Sequence, residues 1–162
     1  MKDTAEYIFH NPELSLQEYK SSRRLAEFLE SEGFKIRWGS AGFETAFVAE
    51  WSSRRRGNEP GENAQAENGP VESTESTEPV EPVIGFLAEY DALSGLGQEC
   101  VPRQQQDGGP GHGCGHNLLG TACAGAACGL KDRMQAENLQ GTIRVYGCPA
   151  EEIVVGKIRM NE

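Results

Sequence analysis

The chain has 162 residues, a formal net charge of −10 and 37% hydrophobic residues. That length favours one domain, and the acidic charge argues against sequence-independent binding to nucleic acid or to an anionic membrane. No run approaches the roughly 20 apolar residues of a membrane span, and the N-terminus, MKDTAEYIFH, lacks the apolar core of a signal peptide. The five cysteines show no disulfide-framework pattern, which predicts reduced thiols and a cytoplasmic protein.

A helix is predicted near the start of the chain. The segment SLQE, residues 15–18, fits a capping box, in which Ser and Glu three positions apart satisfy the first free amides of a helix. Leu25, Phe28 and Leu29 follow at helical spacing, and Gly33 is a suitable helix stop.

Two short strands and a polar segment come next. FKIRWG and TAFVAEW are predicted as the strands. Residues 52–82 contain seven glutamates, three arginines and no aromatic residue. Such a segment cannot bury enough apolar surface to offset the entropy lost on ordering, so we expect a disordered acidic insert outside the core. A charged segment that binds a partner is the alternative.

The second half of the chain predicts a strand, a helix and a strand. PVIGFLAEYDAL begins with a nearly continuous apolar run, which is typical of a buried strand in a sheet covered on both faces. NLLGTACAGAACGLKDRMQ is predicted as a helix, with a stripe at every fourth position, Leu118, Ala122, Ala126, Leu130 and Met134. GTIRVYGCP is another strand. The predicted class is therefore α/β, a mixed sheet containing a βαβ unit with helices on both faces.

Chemically active side chains follow the ends of these elements. Glu89 and Asp91 come after one strand, Cys114 and His116 precede the helix, and Glu151–Glu152 follow the next strand. In open α/β sheets, functional sites lie beyond the carboxyl ends of the strands. We therefore expect these three groups to converge at one edge of the sheet.

Cys114 and His116 are candidate metal ligands. A thiolate and a neutral imidazole are good ligands for zinc, and residues two apart in an extended loop point to the same side. The start of the following helix is expected to lower the pKa of the Cys114 thiol. A Cys-x-His pair has little specificity alone, so the alternative is a loop without metal. His112 is predicted to contact a backbone group, and Cys123 and Cys128 to be small core residues.

The adjacent carboxylates of Glu151 and Glu152 suggest a division of roles. The two carboxylates would repel each other if they were buried together. An ion beside one of them would relieve this repulsion and leave the other free to act as a base. The alternative is a solvated surface pair, which is the usual setting of glutamates.

The motifs EYDAL, GHGCGHNLLG and GCPAEE, preceded by HNPELSLQE, resemble the zinc aminoacylase and glutamate-carboxypeptidase family of metallopeptidases. The similarity is greatest to the branch of p-aminobenzoyl-glutamate hydrolase and β-alanyl-lysine-type dipeptidases. It covers roughly residues 4–51 and 83–160.

The resemblance implies a role for each motif residue. Glu151 matches the general base and Asp91 a supporting acid near the metal. Glu89 stands where other branches have a ligand histidine, so it is not assigned as a ligand. The implied metal ligands are Cys114, His116 and Glu152.

The resemblance also implies an activity, hydrolysis of the amide bond of an N-acyl amino acid or dipeptide. Zn²⁺ is the first choice of metal because of the thiolate, with Mn²⁺ or Co²⁺ as alternatives. Family members form dimers through a lid domain and have about twice this length, as two domains require. They also carry further histidine ligands, whereas no histidine follows His116 here.

We therefore expect residues 1–162 to be a truncated, incomplete N-terminal part of a catalytic domain, without the lid and dimerisation domain and with impaired or no activity. The alternative is a non-catalytic fragment that binds metal weakly or pairs with a full-length relative.

Overall fold

A computed structural model describes residues 1–53, 79–99, 101 and 108–161. The helices are α1 (Lys2–His10), α2 (Tyr19–Ser31), α3 (His116–Ala136) and α4 (Gly156–Met160), and a 3₁₀ turn covers Ser40–Gly42. The strands are β1 (Lys35–Trp38), β2 (Phe47–Ser53), β3 (Val83–Glu89) and β4 (Gly141–Cys148). Among the helices of the described residues, none is both long and apolar enough to cross a membrane.

The four strands form one mixed sheet in the order β1-β2-β4-β3. β2 pairs antiparallel with both β1 and β4, whereas β3 and β4 are parallel and are connected through α3. Parallel neighbours need such a crossover. The mixed sheet and the βαβ unit predicted from the sequence are confirmed.

One apolar cluster joins the helices to the sheet. It includes Leu25 and Leu29 of α2, Ala124 of α3, and Ile143 and Val145 of β4, all of them buried. The sequence predicts helices on both faces. In the described residues the three long helices instead pack on one another and lie on one face of the sheet, because each contributes buried apolar side chains to this cluster. The short α4 contacts β4 and the 3₁₀ turn.

β3 is less buried than its apolar sequence predicts. Leu87 is 52% exposed and Ile84 is 40% exposed. β3 is the end strand of the sheet among the described residues, so it has a neighbour on one side only. The prediction of a fully covered strand is therefore wrong for this part of the chain.

The buried face of α3 also differs from the predicted stripe. Leu118 is 64% exposed, and the residues that face the core include Gly120, Ala124 and Ala127. A Cβ atom added at Gly120 would lie 2.3 Å from the carbonyl oxygen of Glu89. The small residues face the sheet because they let the helix backbone approach β3 closely.

The predicted capping box at the start of α2 is wrong. The Ser15 hydroxyl donates to Asp91 instead, and Glu18 is the residue that precedes the helix without capping it. Glu13 takes the capping role, because its carboxylate accepts from the backbone amides of Lys20 at 3.0 Å and Ser21 at 2.8 Å. The first free amides of α2 are therefore bound by Glu13, which lies further from the helix in the sequence than Ser15.

The predicted insert, residues 52–82, begins inside β2, whose last two residues are Ser52 and Ser53. Residues 54–78 lie outside the described part of the chain. At the far side, the Val80 amide donates to the Thr142 hydroxyl, which also bonds the Ser52 hydroxyl at 2.9 Å. Thr142 therefore contacts both flanks of the segment.

Candidate metal centre

Three chain segments converge at one edge of the sheet, as the sequence predicts. β3 and β4 are parallel, so their carboxyl ends lie side by side. Glu89 and Asp91 follow β3, and Glu151–Glu152 follow β4. His116 begins α3, and Gly115 before it adopts a left-handed backbone with φ of 90°, a conformation that favours glycine.

His116 lies at the centre of four carboxylates. Its Nδ1 is 3.0 Å from Asp91 Oδ1 and 3.7 Å from Glu152 Oε1. Its Nε2 is 3.1 Å from Glu89 Oε2 and 3.6 Å from Glu151 Oε2. The imidazole is buried, so these interactions are little screened by water.

The pairing of His116 with Asp91 shifts both groups toward their charged forms. Burial acts to lower the pKa of His116, but the hydrogen bond and charge of Asp91 outweigh it, so the pKa is raised. Burial acts to raise the pKa of Asp91, but hydrogen bonds from His116, the Glu152 amide and Ser15 hold the pKa below its usual value. Asp91 is therefore a carboxylate that fixes the orientation of the imidazole.

Cys114 is exposed at the rim of this centre. The sequence predicts a lowered thiol pKa at the helix start. The structure contradicts this, because partial burial and the nearby Glu152 carboxylate, with smaller effects of Glu151 and Glu89, raise the pKa of the thiol. Partial burial and the surrounding negative charge together disfavour the thiolate, so a cation beside it would stabilise it.

Two groups of side chains are arranged to hold a cation. Cys114, His116 and Glu152 have ligand atoms within 4.8 Å of one another, and Glu89, His116 and Glu151 form a second such group. Glu152 Oε1 is buried without a hydrogen-bond partner among the described residues, which is costly unless an ion or a proton compensates it. A thiolate, an imidazole and this carboxylate together suit a tetrahedral divalent ion with one position left open. The residues fit a metal.

No protein-family model matches the chain. Among curated proteins, a p-aminobenzoyl-glutamate hydrolase subunit of Escherichia coli is 37% identical over 161 residues, covering 98% of this chain and 28% of that protein. Xaa-Arg dipeptidase of Homo sapiens is 32% identical over 161 residues, covering 96% of this chain and 30% of that protein.

Among solved structures, the YXEP protein of Bacillus subtilis, described as a dinuclear metal binding peptidase from the M20 family, aligns with a TM-score of 0.70. It is 27% identical, and the alignment covers 99% of this chain and 37% of the YXEP chain. The chain is thus similar over nearly its whole length to these hydrolases and to a structure described as an M20-family peptidase. This confirms the resemblance drawn from the motifs, and the chain spans about 30% of the length of the curated relatives it matches.

Lys157 is a residue of the site that the sequence pattern does not indicate. Its ammonium group contacts Glu89 Oε1 and lies 3.8 Å from Glu151 Oε1. Burial acts to lower the pKa of Lys157, but the hydrogen bond and charge of Glu89 outweigh it and raise the pKa. Glu89 thus lies between a cation and His116. No strand end or motif marks Lys157, which comes from the short α4.

Ser15 was also missed as a site residue, because the sequence assigns it to a helix cap. Its hydroxyl donates to Asp91 Oδ2 at 2.8 Å, across 76 positions of the chain. The same oxygen accepts from the Glu152 amide at 2.9 Å. Asp91 therefore connects the N-terminal segment, His116 and the turn after β4.

His112, Cys128 and Cys123 lie outside both ligand groups. His112 Nε2 lies 3.2 Å from the Ile8 carbonyl oxygen, so the predicted backbone contact is confirmed, and His112 belongs to neither ligand group. Cys128 is buried in the core as predicted. Cys123 only borders the core, and its thiol donates to the Leu87 carbonyl at 3.2 Å.

Proposed function

We propose that this chain contributes the metal-binding and proton-transferring side chains of an amidohydrolase that cleaves an N-acyl amino acid or a dipeptide. The observation that supports the proposal is the grouping of Cys114, His116 and Glu152 beside Glu151. The relatives' names are p-aminobenzoyl-glutamate hydrolase, Xaa-Arg dipeptidase and N-acetylcysteine deacetylase. Each name describes hydrolysis of the bond between an acyl group and the amino group of an amino acid.

Zinc is the metal we propose, held by Cys114, His116 and Glu152. A thiolate ligand favours zinc, and Mn²⁺ or Co²⁺ are the alternatives. When bound, such an ion polarises a carbonyl and lowers the pKa of water. Asp91 accepts from one ring nitrogen of His116 and so orients the imidazole, in the way that carboxylates commonly orient ligand histidines.

Glu151 is the proposed general base. Its side chain is 32% exposed, compared with 15% for Glu152, so it is the more accessible of the pair. Glu151 takes a proton from the attacking water and later donates it to the leaving amine. The Lys157 ammonium lies 3.8 Å from Glu151 Oε1, at the same side of His116.

The test measures zinc content and hydrolysis together. The purified chain is loaded with zinc, dialysed and assayed on a panel of dipeptides and N-acyl amino acids. Glu151→Gln keeps the size of the side chain and removes its basicity, so turnover should be lost while the zinc content stays at the wild-type value. Glu152→Gln should lower both. Unchanged turnover in Glu151→Gln would contradict the assigned base.

The level of turnover is itself part of the proposal. Residues 1–162 correspond to about 30% of the length of the curated relatives, so substrate contacts made by the remainder of those proteins lie outside this segment. Lost positioning can remove several kcal/mol of barrier reduction, and we expect little turnover from the 162 residues alone. Turnover at about 1–10³ s⁻¹, the range of ordinary enzymes, would contradict that expectation.

A second candidate function is a non-catalytic fragment that pairs with a longer relative. The observation that favours it is the exposed end strand β3, with Leu87 and Ile84 open to solvent among the described residues. End strands with exposed apolar side chains are templates for association. Sedimentation of the chain mixed with a full-length relative tests it, and the absence of any co-sedimenting complex would reject it.

A further inference from the structure

We propose that Glu18 is a positioning residue of this site, whose buried carboxylate fixes the backbone turn that carries Glu151 and Glu152. Its consequence for metal binding rests on the proposed function, whereas its effect on the turn does not. Glu18 lies outside both ligand groups and makes no contact with His116 among the described hydrogen bonds and ion pairs.

The Glu18 carboxylate collects donors from three parts of the chain. Oε1 accepts from the backbone amides of Leu16 and Ala150, each at 2.8 Å. Oε2 accepts from the Thr45 hydroxyl at 2.9 Å. Glu18 is 0% exposed, so these bonds form where water cannot replace them.

The Ala150 amide is the contact that reaches the site. Ala150 has a φ of 57°, in the left-handed region that is unfavourable for a residue with a side chain. Such a backbone persists only where its surroundings hold it, and Glu18 supplies one such contact. On the other side, the Glu152 amide donates to Asp91 Oδ2 at 2.9 Å. Glu151 therefore lies between two amides that are each held by a buried carboxylate.

The Glu18 carboxylate is buried at an electrostatic cost. Burial raises the pKa of Glu18, which shows that the ionised form is costly at this place. An apolar residue would fill the same volume without that cost, but it would leave the Ala150 amide unpaired in the interior. The Glu18 carboxylate accepts from amides on both the N-terminal segment and the turn.

The experiment compares two substitutions of Glu18 with a control on the same helix. Glu18→Ala removes every acceptor. Glu18→Gln keeps Oε1 for the two amides and can donate its own amide to the Thr45 hydroxyl, so it should rescue the interaction. Glu30→Ala changes an exposed glutamate of α2 and serves as the matched control.

Two quantities are measured on protein shown to be folded by circular dichroism. The first is zinc affinity by competition with a chelator, and the second is hydrogen exchange at the Ala150 amide. Glu18→Ala should lower zinc affinity by about tenfold, the usual effect of losing a residue that supports a metal ligand. It should also accelerate exchange at Ala150. Glu18→Gln and Glu30→Ala should retain the wild-type values.

Each outcome decides the proposal. Wild-type zinc affinity together with wild-type exchange at Ala150 in folded Glu18→Ala would overturn it, even if that variant were less stable. If Glu18→Ala does not fold, Thr45→Val removes the partner of Oε2 and should produce the same changes on a smaller scale; no change in that variant would overturn the proposal. If the wild-type chain binds no zinc, the proposed function fails, and exchange at Ala150 still decides the role of Glu18.

Discussion

His116 is enclosed by carboxylates on both ring nitrogens, and this arrangement determines the electrostatics of the site. Asp91 and Glu152 face Nδ1, while Glu89 and Glu151 face Nε2. Only Glu89 and Glu151 have a nearby ammonium group among the described ion pairs, from Lys157. Glu152 therefore has no ammonium group beside it among the described ion pairs, and its negative charge is the less compensated.

Cys114→Ser provides the first prediction at this scale. Replacing the thiol by a hydroxyl removes the proposed ligand that favours zinc, so bound zinc measured by elemental analysis after dialysis should fall sharply. Cys123→Ser is the control, because that thiol lies outside both ligand groups and donates to the Leu87 carbonyl. Equal zinc content in wild type and Cys114→Ser would reject Cys114 as a ligand.

Motif residues can be predicted from the sequence, whereas the residues that support them cannot. Cys114, His116 and Glu151–Glu152 stand out because their residue types and spacing are unusual. Ser15 and Glu18 look like a helix cap, since the local pattern carries no information about partners 76 and 132 positions away. The prediction of the thiol pKa is wrong for the same reason, because the burial and the acids that raise it depend on other segments of the chain.

At the scale of elements, the close contact between α3 and the end of β3 places His116 beside Glu89. Gly120 makes this contact possible, because a Cβ there would meet the Glu89 carbonyl oxygen at 2.3 Å and Leu25 Cδ1 at 3.1 Å. The packing of these two elements therefore determines the distance between two site residues.

Gly120→Ala should push α3 away from β3. The substitution should reduce the free energy of unfolding by about 1–3 kcal/mol, the usual cost of overpacking, as measured by urea unfolding. Gly129→Ala is the matched control within the same helix, because nothing lies within 4 Å of a Cβ built there. It should stabilise the chain by about 0.5–1 kcal/mol through helix propensity. Equal effects of the two substitutions would contradict the close contact.

We predict that replacing residues 54–78 by a short linker has little effect on stability. Their flanks lie near each other, since Ser53 pairs with Gly141 and Val83 with Thr142 on opposite sides of β4. Two strand spacings are about 10 Å, which a short Gly/Ser linker spans. The replacement should change the free energy of unfolding by no more than about 1 kcal/mol, because loop length enters only logarithmically. Loss of cooperative unfolding would show that the segment packs on the core.

The positions of helices and strands are accessible to sequence reasoning, and their burial is less so. Periodicity and turn residues place α3 and β4 within one or two residues of their observed ends. The buried face of α3 differs from the prediction because a pattern based on large apolar residues such as Leu118 overlooks the small ones that permit close approach. The exposure of β3 depends on its place at the end of the sheet, which hydrophobicity does not encode.

At the scale of the whole molecule, the two ligand groups overlap. Both include His116, and no histidine follows it in the sequence. The YXEP protein, by contrast, is described as a dinuclear metal binding peptidase and is longer than the part this chain aligns with. In the described part of this chain, one histidine, His116, therefore belongs to both ligand groups.

We accordingly predict one zinc ion per chain. Isothermal titration calorimetry, with elemental analysis after gel filtration, should give one equivalent of zinc per chain. Two cations are disfavoured because the groups share the His116 imidazole and two ions so close together would repel each other. His116→Ala should abolish this binding, and His112→Ala, which changes a histidine outside both groups, should not. Two equivalents bound to the wild-type chain would contradict the prediction.

The hydrogen bond between Glu18 and the Ala150 amide joins residues separated by 132 positions, and this has a consequence for how the protein is made. At synthesis rates of about 5–20 residues per second, the Glu18 carboxylate emerges roughly ten seconds before its partner does. During that interval α1 and α2 can form, but the turn that carries Glu151 and Glu152 does not yet exist. The site is therefore complete only after the N-terminal helices and this turn have both been synthesised and have met.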